Sequence, residues 1–221
     1  MKIVKILSIE HATHNVMRIR TEKPEGISYV AGQAVDIAIN TPKWKEELRP
    51  FTFTSLPSDS FLEFHIKIYP EHNGVTNQIA KLSDEDSLLI GEVFGDIHYE
   101  GEGIFIAGGA GITPFIAIIK ELDKNNKLAD NKLIFANTNS EDIIANDLFT
   151  EILGKHFINV LSKEENKKYE HGYITKEIIE SQIQNNASHF YLCGPPPMMD
   201  AVLKQLKELG VDDSKIIKEV Y

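Results

Sequence analysis

Five short segments carry residue types suited to holding phosphate or handling redox chemistry. Residues Ala107-Gly108-Gly109-Ala110-Gly111-Ile112-Thr113-Pro114-Phe115 set a glycine loop between an apolar run and a helical pattern. Glycines let backbone approach a pyrophosphate, and the free N–H groups and dipole at a helix start favour negative charge. Pro114 suits that position, because the first helical turn has no use for its missing N–H. The spacing is G-x-G-x-x-P, so Gly109, Gly111, Thr113 and Pro114 form a phosphate-loop candidate without the full dinucleotide fingerprint, and a tight strand-to-helix turn is the plainer alternative. Tyr191-Leu192-Cys193-Gly194-Pro195-Pro196-Pro197-Met198-Met199 ends another apolar run. There Cys193 would face the ligand crevice at the carboxyl edge of an α/β sheet, and the prolines would form a rigid wall after the strand. Arg49-Pro50-Phe51-Thr52-Phe53-Thr54-Ser55 offers a guanidinium fork for a diphosphate and a hydroxyl for a heterocycle nitrogen. Asn73-Gly74-Val75-Thr76 reads as a second helix start able to hold phosphate, and Lys218-Glu219-Val220-Tyr221 ends on an aromatic.

The elements that must position these groups follow two different periods, dividing the chain near residue 100. Over residues 61–69, Leu62, Phe64, Ile66 and Ile68 alternate with Glu63, His65, Lys67 and Tyr69, the period of a half-buried strand. Met17 and Ile19 alternate with Arg18 and Arg20 in the same way. With further short strands expected at 2–9, 34–39, 49–54, 88–90 and 97–99, the first half reads as an antiparallel barrel with a short helix over 75–82. From residue 103 onward, apolar runs at 104–107, 133–136, 157–161 and 190–193 alternate with helical stretches at 113–122, 143–153, 175–183 and 198–209. That pattern predicts an open α/β sheet, with 215–221 as its last strand. The expected fold class is therefore two-domain, an N-terminal antiparallel β-barrel over 1–100 followed by an α/β open parallel-sheet nucleotide-binding domain over 101–221.

Composition narrows the function classes. The 221 residues are 42% hydrophobic and 25% charged, within the range of globular proteins. A net charge of -10 argues against nonspecific binding to nucleic acid or an anionic membrane. The single cysteine, Cys193, excludes an intramolecular disulfide and leaves no four-cysteine set for an iron–sulfur cluster or structural zinc. No apolar run approaches membrane-spanning length and no secretory leader is evident, so a cytoplasmic protein is expected, with no membrane span and no metal.

Taken in this order over nearly the whole chain, the five segments resemble the ferredoxin-NADP reductase family of FAD/NAD(P)H flavoproteins. The resemblance implies FAD on the barrel and NADPH or NADH on the α/β half. Arg49-Pro50-Phe51-Thr52 is similar to the family's R-x-Y-S/T flavin motif, which implies Arg49 on the FAD diphosphate and the Thr52 hydroxyl near flavin N5. It also implies that His65, Ile66 and Lys67 line the flavin ring and ribityl chain, and that Gly74, Val75 and Thr76 hold the pyrophosphate. Gly109 to Pro114 resembles the nucleotide loop. Cys193-Gly194-Pro195-Pro196-Pro197-Met198 resembles the C-G-P-P-x-M signature beside the nicotinamide. Tyr221 is similar to the plant-type terminal tyrosine that covers the flavin and gives way to nicotinamide. Two departures stand out: Phe51 replaces the usual tyrosine, and no arginine follows the second α/β strand in Asn137-Thr138-Asn139-Ser140. Ser162-Lys163 is the remaining candidate for a 2'-phosphate.

The implied activity is transfer of electrons from NAD(P)H through FAD to a separate carrier such as ferredoxin or flavodoxin. Thr52, Cys193, Glu219 and Tyr221 are the expected catalytic group, with Glu219 as a proton relay. A flavin reductase using diffusible flavin, or an electron-transfer subunit of a larger complex, are the alternatives.

Overall fold

The computed structural model describes residues 1–183 and 189–219. The chain divides into two compact units, Met1–Gly95 with Thr113–Glu121, and Asp96–Ile112 with the chain from Leu122 onward.

The first unit is built from β1 (Lys2–Thr13), β2 (Val16–Glu22), β3 (Ala34–Ile39), β4 (Arg49–Thr52), β5 (Phe61–Lys67), the short helix α1 (Val75–Ile79) and β6 (Ser87–Phe94). The strands run antiparallel in the order β4-β3-β6-β1-β2-β5. Two residues beyond β4, the Thr54 N–H donates to the Glu63 carbonyl of β5 at 2.8 Å, joining the two ends of that order into a barrel. The alternation read over 61–69 has its physical outcome here. Leu62, Phe64 and Ile66 enter the barrel core with Ile19, Val35, Ile37 and Phe53, while Val75 and Ile79 of α1 pack against the same cluster. Burying these side chains fully is worth about 1.5–3 kcal/mol each, which fixes the register of every strand.

The second unit contains β7 (Gly103–Gly108), a 3-10 turn at Gly109–Ile112, the end of α2 (Thr113–Lys124), β8 (Lys132–Asn137), α3 (Asn146–Leu153), β9 (Phe157–Leu161), β10 (Glu170–His171), α4 (Lys176–Gln182), β11 (His189–Cys193), α5 (Pro196–Glu208) and β12 (Ile216–Lys218). Its strands are parallel in the order β10-β9-β8-β7-β11-β12. Continuous apolar runs suit strands covered on both faces, and all six residues of β7 are buried. Residues Thr113–Glu121 of α2 are counted with the first unit, Leu122–Lys124 with the second.

Several sequence expectations need correction. Residues 97–99 form no strand. Ile97 is buried, which gave the apolar alternation, but the backbone just beyond is satisfied by a side chain: the Tyr191 hydroxyl accepts from the N–H groups of Glu100 and Gly101 at 2.9 Å and donates to the Gly101 carbonyl at 2.7 Å. The helix read from residue 198 starts earlier: Pro195 is the N-cap of α5 and Pro196 and Pro197 are its first residues, where missing N–H groups cost no intrahelical bond. Among the described residues the last strand spans Ile216–Lys218, starting after Lys215 because Lys215 closes a 3-10 turn; residues 220 and 221 of the expected strand lie outside the described residues.

The Tyr191 hydroxyl yields a direct prediction. Tyr191→Phe strips two part-buried N–H groups of their acceptor, and is expected to destabilise the protein by about 1–2 kcal/mol in urea unfolding at unchanged denaturant slope.

Candidate functional site

On the barrel unit, the flavin-motif residues lie along β4 and the chain that follows it. Arg49 is exposed, with Nη2 3.3 Å from Glu47 Oε2. Phe51 and Thr52 are half-buried, and Phe51 packs against the barrel core. Lys67 is half-buried at the end of β5, whereas the Ile66 side chain is in the core, so Ile66 offers outward only its backbone. Gly74 is the N-cap of α1, with no side-chain cap bond, and a Cβ placed on it would meet nothing within 4 Å. Thr76 is half-buried in the first turn, and Val75 anchors that turn in the core. An exposed guanidinium fork and an uncapped, sterically open helix start are donors that fit a diphosphate.

A buried network behind this strand was not anticipated. Thr54 and Ser55 are fully buried, and Glu63 is 4% exposed. Glu63 accepts from Arg20 Nε at 2.9 Å and from the Thr54 hydroxyl at 3.2 Å, with Lys120 Nζ 3.7 Å away. Lys120 donates to the Thr54 carbonyl at 2.8 Å, and Thr54 Oγ1 lies 2.9 Å from His65 Nδ1. Burial pushes the Glu63 carboxyl up, but Lys120 and Arg20 outweigh it and hold the group below its usual range. Burial also lowers His65 to about 4 against the partial opposition of Glu63. The outward pattern Glu63, His65, Lys67 facing Arg20 and Arg18 was the available signal.

On the second unit, the structure brings two of the sequence motifs into direct contact. Gly109 has φ +52, the left-handed region that glycine enters at little cost, and turns the chain between β7 and α2. A Cβ on Gly111 would lie 2.3 Å from the Cys193 carbonyl oxygen, and one on Gly108 would lie 2.5 Å from Met198 Sδ and 2.9 Å from Pro195 Cδ. Gly194 is equally constrained, with Met198 Cε at 2.6 Å from the corresponding position. Thr113 and Pro114 are buried where α2 starts. Cys193, 3% exposed, donates its S–H to Glu219 Oε2 at 3.4 Å, which β12 makes possible by pairing Lys218 with Leu192. Tyr221 lies outside the described residues.

At the carboxyl end of β8, Asn137 Nδ2 is buried with no hydrogen-bond partner among the described residues, an orphaned donor where α/β sheets receive ligands. Ser162 and Lys163 reach this end through backbone bonds of 3.0 Å to the carbonyls of Asn137 and Thr138. The Glu164 carboxylate accepts the Ser140 N–H at 2.7 Å, and hydrogen bonds from Ser140 hold it below the usual carboxylate range. The orphaned amide and the glycine loop fit a nucleotide.

A closed antiparallel barrel followed by a parallel sheet with a glycine loop defines a reductase class with separate flavin and nucleotide units. Comparison with known proteins agrees. Residues 1–137 match the FAD-binding domain family and residues 105–204 the oxidoreductase NAD-binding domain family. NADH-cytochrome b5 reductase 2-A of Vanderwaltozyma polyspora is 31% identical over 96% of this chain and 82% of its own length. The ferredoxin–NAD(P)(+) reductase component of the naphthalene 1,2-dioxygenase system of Pseudomonas putida is 22% identical over 100% of this chain and 69% of its own. Among solved structures, a ferredoxin NADP+ reductase from Neisseria gonorrhoeae superposes with a TM-score of 0.86 at 21% identity, covering 99% of this chain and 97% of that one. The chain belongs to the ferredoxin-NADP reductase-like family, and is an NAD(P)H-dependent, FAD-containing oxidoreductase. Among the described residues, no helix is long and apolar enough to cross a membrane.

Proposed function

We propose that this reductase passes electrons from NAD(P)H to a separate carrier such as ferredoxin or flavodoxin, with residues 1–100 serving FAD and 101–221 serving the nucleotide. The observation that carries the reading is the state of Cys193: it is the only cysteine, buried and bonded to Glu219, so the chain has no thiolate set for an iron–sulfur relay of its own.

Bound flavin supplies the two-electron to one-electron conversion. The protein's part is to hold and orient. Arg49 and the N-terminus around Gly74, Val75 and Thr76 take the FAD diphosphate. The Thr52 hydroxyl orients the flavin ring by hydrogen bonding, and the backbone of Gly109 and Gly111 takes the nucleotide pyrophosphate. Cys193, Gly194, Pro195 and Met198 form the wall for nicotinamide. Glu219 serves as the proton relay through Oε2, the atom that accepts the Cys193 S–H. Ser162 and Lys163 attract a 2'-phosphate, and the neighbouring Glu164 carboxylate opposes one; their balance sets the choice of donor.

The experiment is visible absorbance of the purified protein during separate anaerobic additions of NADH and NADPH, followed by stopped-flow reduction of Thr52→Val and Cys193→Ala. A flavin spectrum that bleaches, with at least tenfold slower bleaching in both variants and unchanged circular dichroism, is expected. Wild-type rates in both variants would overturn these two assignments. Failure of the reduced enzyme to pass electrons to either carrier would overturn the acceptor. One observation favours a second reading, a flavin reductase: Phe51 lacks the hydroxyl of the usual motif and packs toward the barrel core, leaving one fewer hold on flavin. A colourless protein active only with added flavin would select that reading.

A further inference from the structure

We propose that Thr54 and Glu63 fix His65 as its Nδ1–H tautomer, so that Nε2 stands on the outward face of β5 as a hydrogen-bond acceptor for an N–H or O–H donor of bound flavin. The ligand half of this rests on the reading of β4 and β5 as the flavin strands.

The argument is one of proton placement. Leu62, Phe64 and Ile66 point into the barrel core, so His65 is on the opposite face of β5, half-buried. Its Nδ1 is 2.9 Å from Thr54 Oγ1, and that same oxygen is 3.2 Å from Glu63 Oε1. An ionised carboxylate accepts only, and Thr54 has a single hydroxyl proton. Donating that proton to Glu63 leaves Thr54 a lone pair, which His65 Nδ1 must then meet as N–H. The reverse assignment would set the Thr54 oxygen lone pairs against the carboxylate.

Glu63 is kept ionised by Arg20, whose Nε is at 2.9 Å, and by Lys120 on α2. The charges bearing on the imidazole are Glu63 on its own strand, Arg18 and Arg20 on β2, and Lys120 on α2; Arg18 pairs directly with His65 in the β2–β5 register. Burial acts first, and the three cations outnumber the one carboxylate, so the ring is neutral at pH 7 with its one proton committed to Nδ1. Nε2 is then an obligatory acceptor, and no described residue bonds to it. A flavin offers a ring N–H and ribityl hydroxyls as donors. A lone-pair acceptor at this place selects for those groups and against carbonyl edges.

The test has a readout that does not depend on turnover. In the full chain labelled with ¹⁵N-histidine, long-range proton–nitrogen correlation is expected to show His65 as the Nδ1–H tautomer at pH 7, and Thr54→Val is expected to abolish the single-tautomer pattern. FAD affinity, read from quenching of flavin fluorescence, is expected to fall about tenfold in His65→Leu. The same loss with lumiflavin identifies the ring N–H as the donor; a loss confined to flavins with a ribityl chain identifies a hydroxyl. An Nε2–H tautomer, or a His65 that titrates near its ordinary value, overturns the proposal. So does undiminished FAD binding by folded His65→Leu. If wild type shows the tautomer but binds no flavin, the flavin-strand reading fails and takes the ligand assignment with it.

Discussion

Gly111→Ala is expected to slow nucleotide-driven flavin reduction by about 100-fold while the barrel unit keeps its flavin. The added Cβ would sit 2.3 Å from the Cys193 carbonyl oxygen, 2.5 Å from its carbon and 2.6 Å from the Gly194 nitrogen. All three are backbone atoms, so no side-chain rotation relieves the contact. Either the Gly109–Ile112 turn or the end of β11 must move by about an ångström, and misplacement on that scale can cost about 10²-fold in rate. Forced overpacking of this kind also costs about 1–3 kcal/mol of stability. Conformational strain is not the cause, since Gly111 is not among the glycines with positive φ. Gly74→Ala is the contrast: nothing lies within 4 Å of its Cβ position, so folding is expected to be unchanged. Stopped-flow reduction of flavin-loaded Gly111→Ala decides the matter, and a wild-type rate there would show that the turn's contact with Cys193 does not position the nucleotide.

That contact also shows where sequence reading reaches and where it stops. The glycine loop and the Cys193 segment were each legible, because strand, turn and helix signals are local. Their direct packing was not, since it depends on β7 and β11 being neighbours in a parallel sheet. Strands such as β5 and β9 were legible from their side-chain types, apolar residues at every second position in β5 and a mostly apolar run in β9. β10 was not, because its two residues, Glu170 and His171, are polar and exposed and join the sheet only by pairing with Val160 and Leu161. Residues 97–99 misled for the opposite reason, an apolar pattern without a ladder partner. The Glu63 network was hidden by distance along the chain. Alternation put Glu63 and His65 on the outward face, where charged residues are ordinarily solvated, and nothing local announced that Lys120 of α2 would reach Glu63 and the Thr54 carbonyl.

Lys120→Met is expected to destabilise the protein by about 2–4 kcal/mol at pH 7, with a pH dependence that exposes the cause. Lys120 supplies both the charge 3.7 Å from Glu63 and the donor to the Thr54 carbonyl, and its side chain is 23% exposed against 5% for Glu63. Removing one partner of a buried pair typically costs about 3–5 kcal/mol, and the retained Arg20 bond tempers that here. In the wild type, Glu63 titrates below its ordinary value of 4.5, so its stabilisation is present above that value and fades as pH falls through the folded pKa. Burial is the largest influence on Glu63 and acts upward; without Lys120 its main opponent is gone. The folded carboxyl then rises, and protonation relieves the fold instead of weakening it. The gap between variant and wild type is therefore expected to be widest at neutral pH and to narrow as pH falls into the carboxylate range. His65, lowered from 6.5 to about 4, makes the wild type less stable as pH drops through that interval; Lys120 is one of the charges that lowers it, so its removal weakens this loss in the variant and narrows the gap further on acidification. Adding Glu63→Gln to Lys120→Met is expected to restore part of the loss, since the unpaired buried charge is then absent. Urea unfolding of the three proteins from pH 7 to pH 4 measures all of this, and a gap that stayed constant on acidification would show that Lys120 stabilises the barrel by packing and not by its charge.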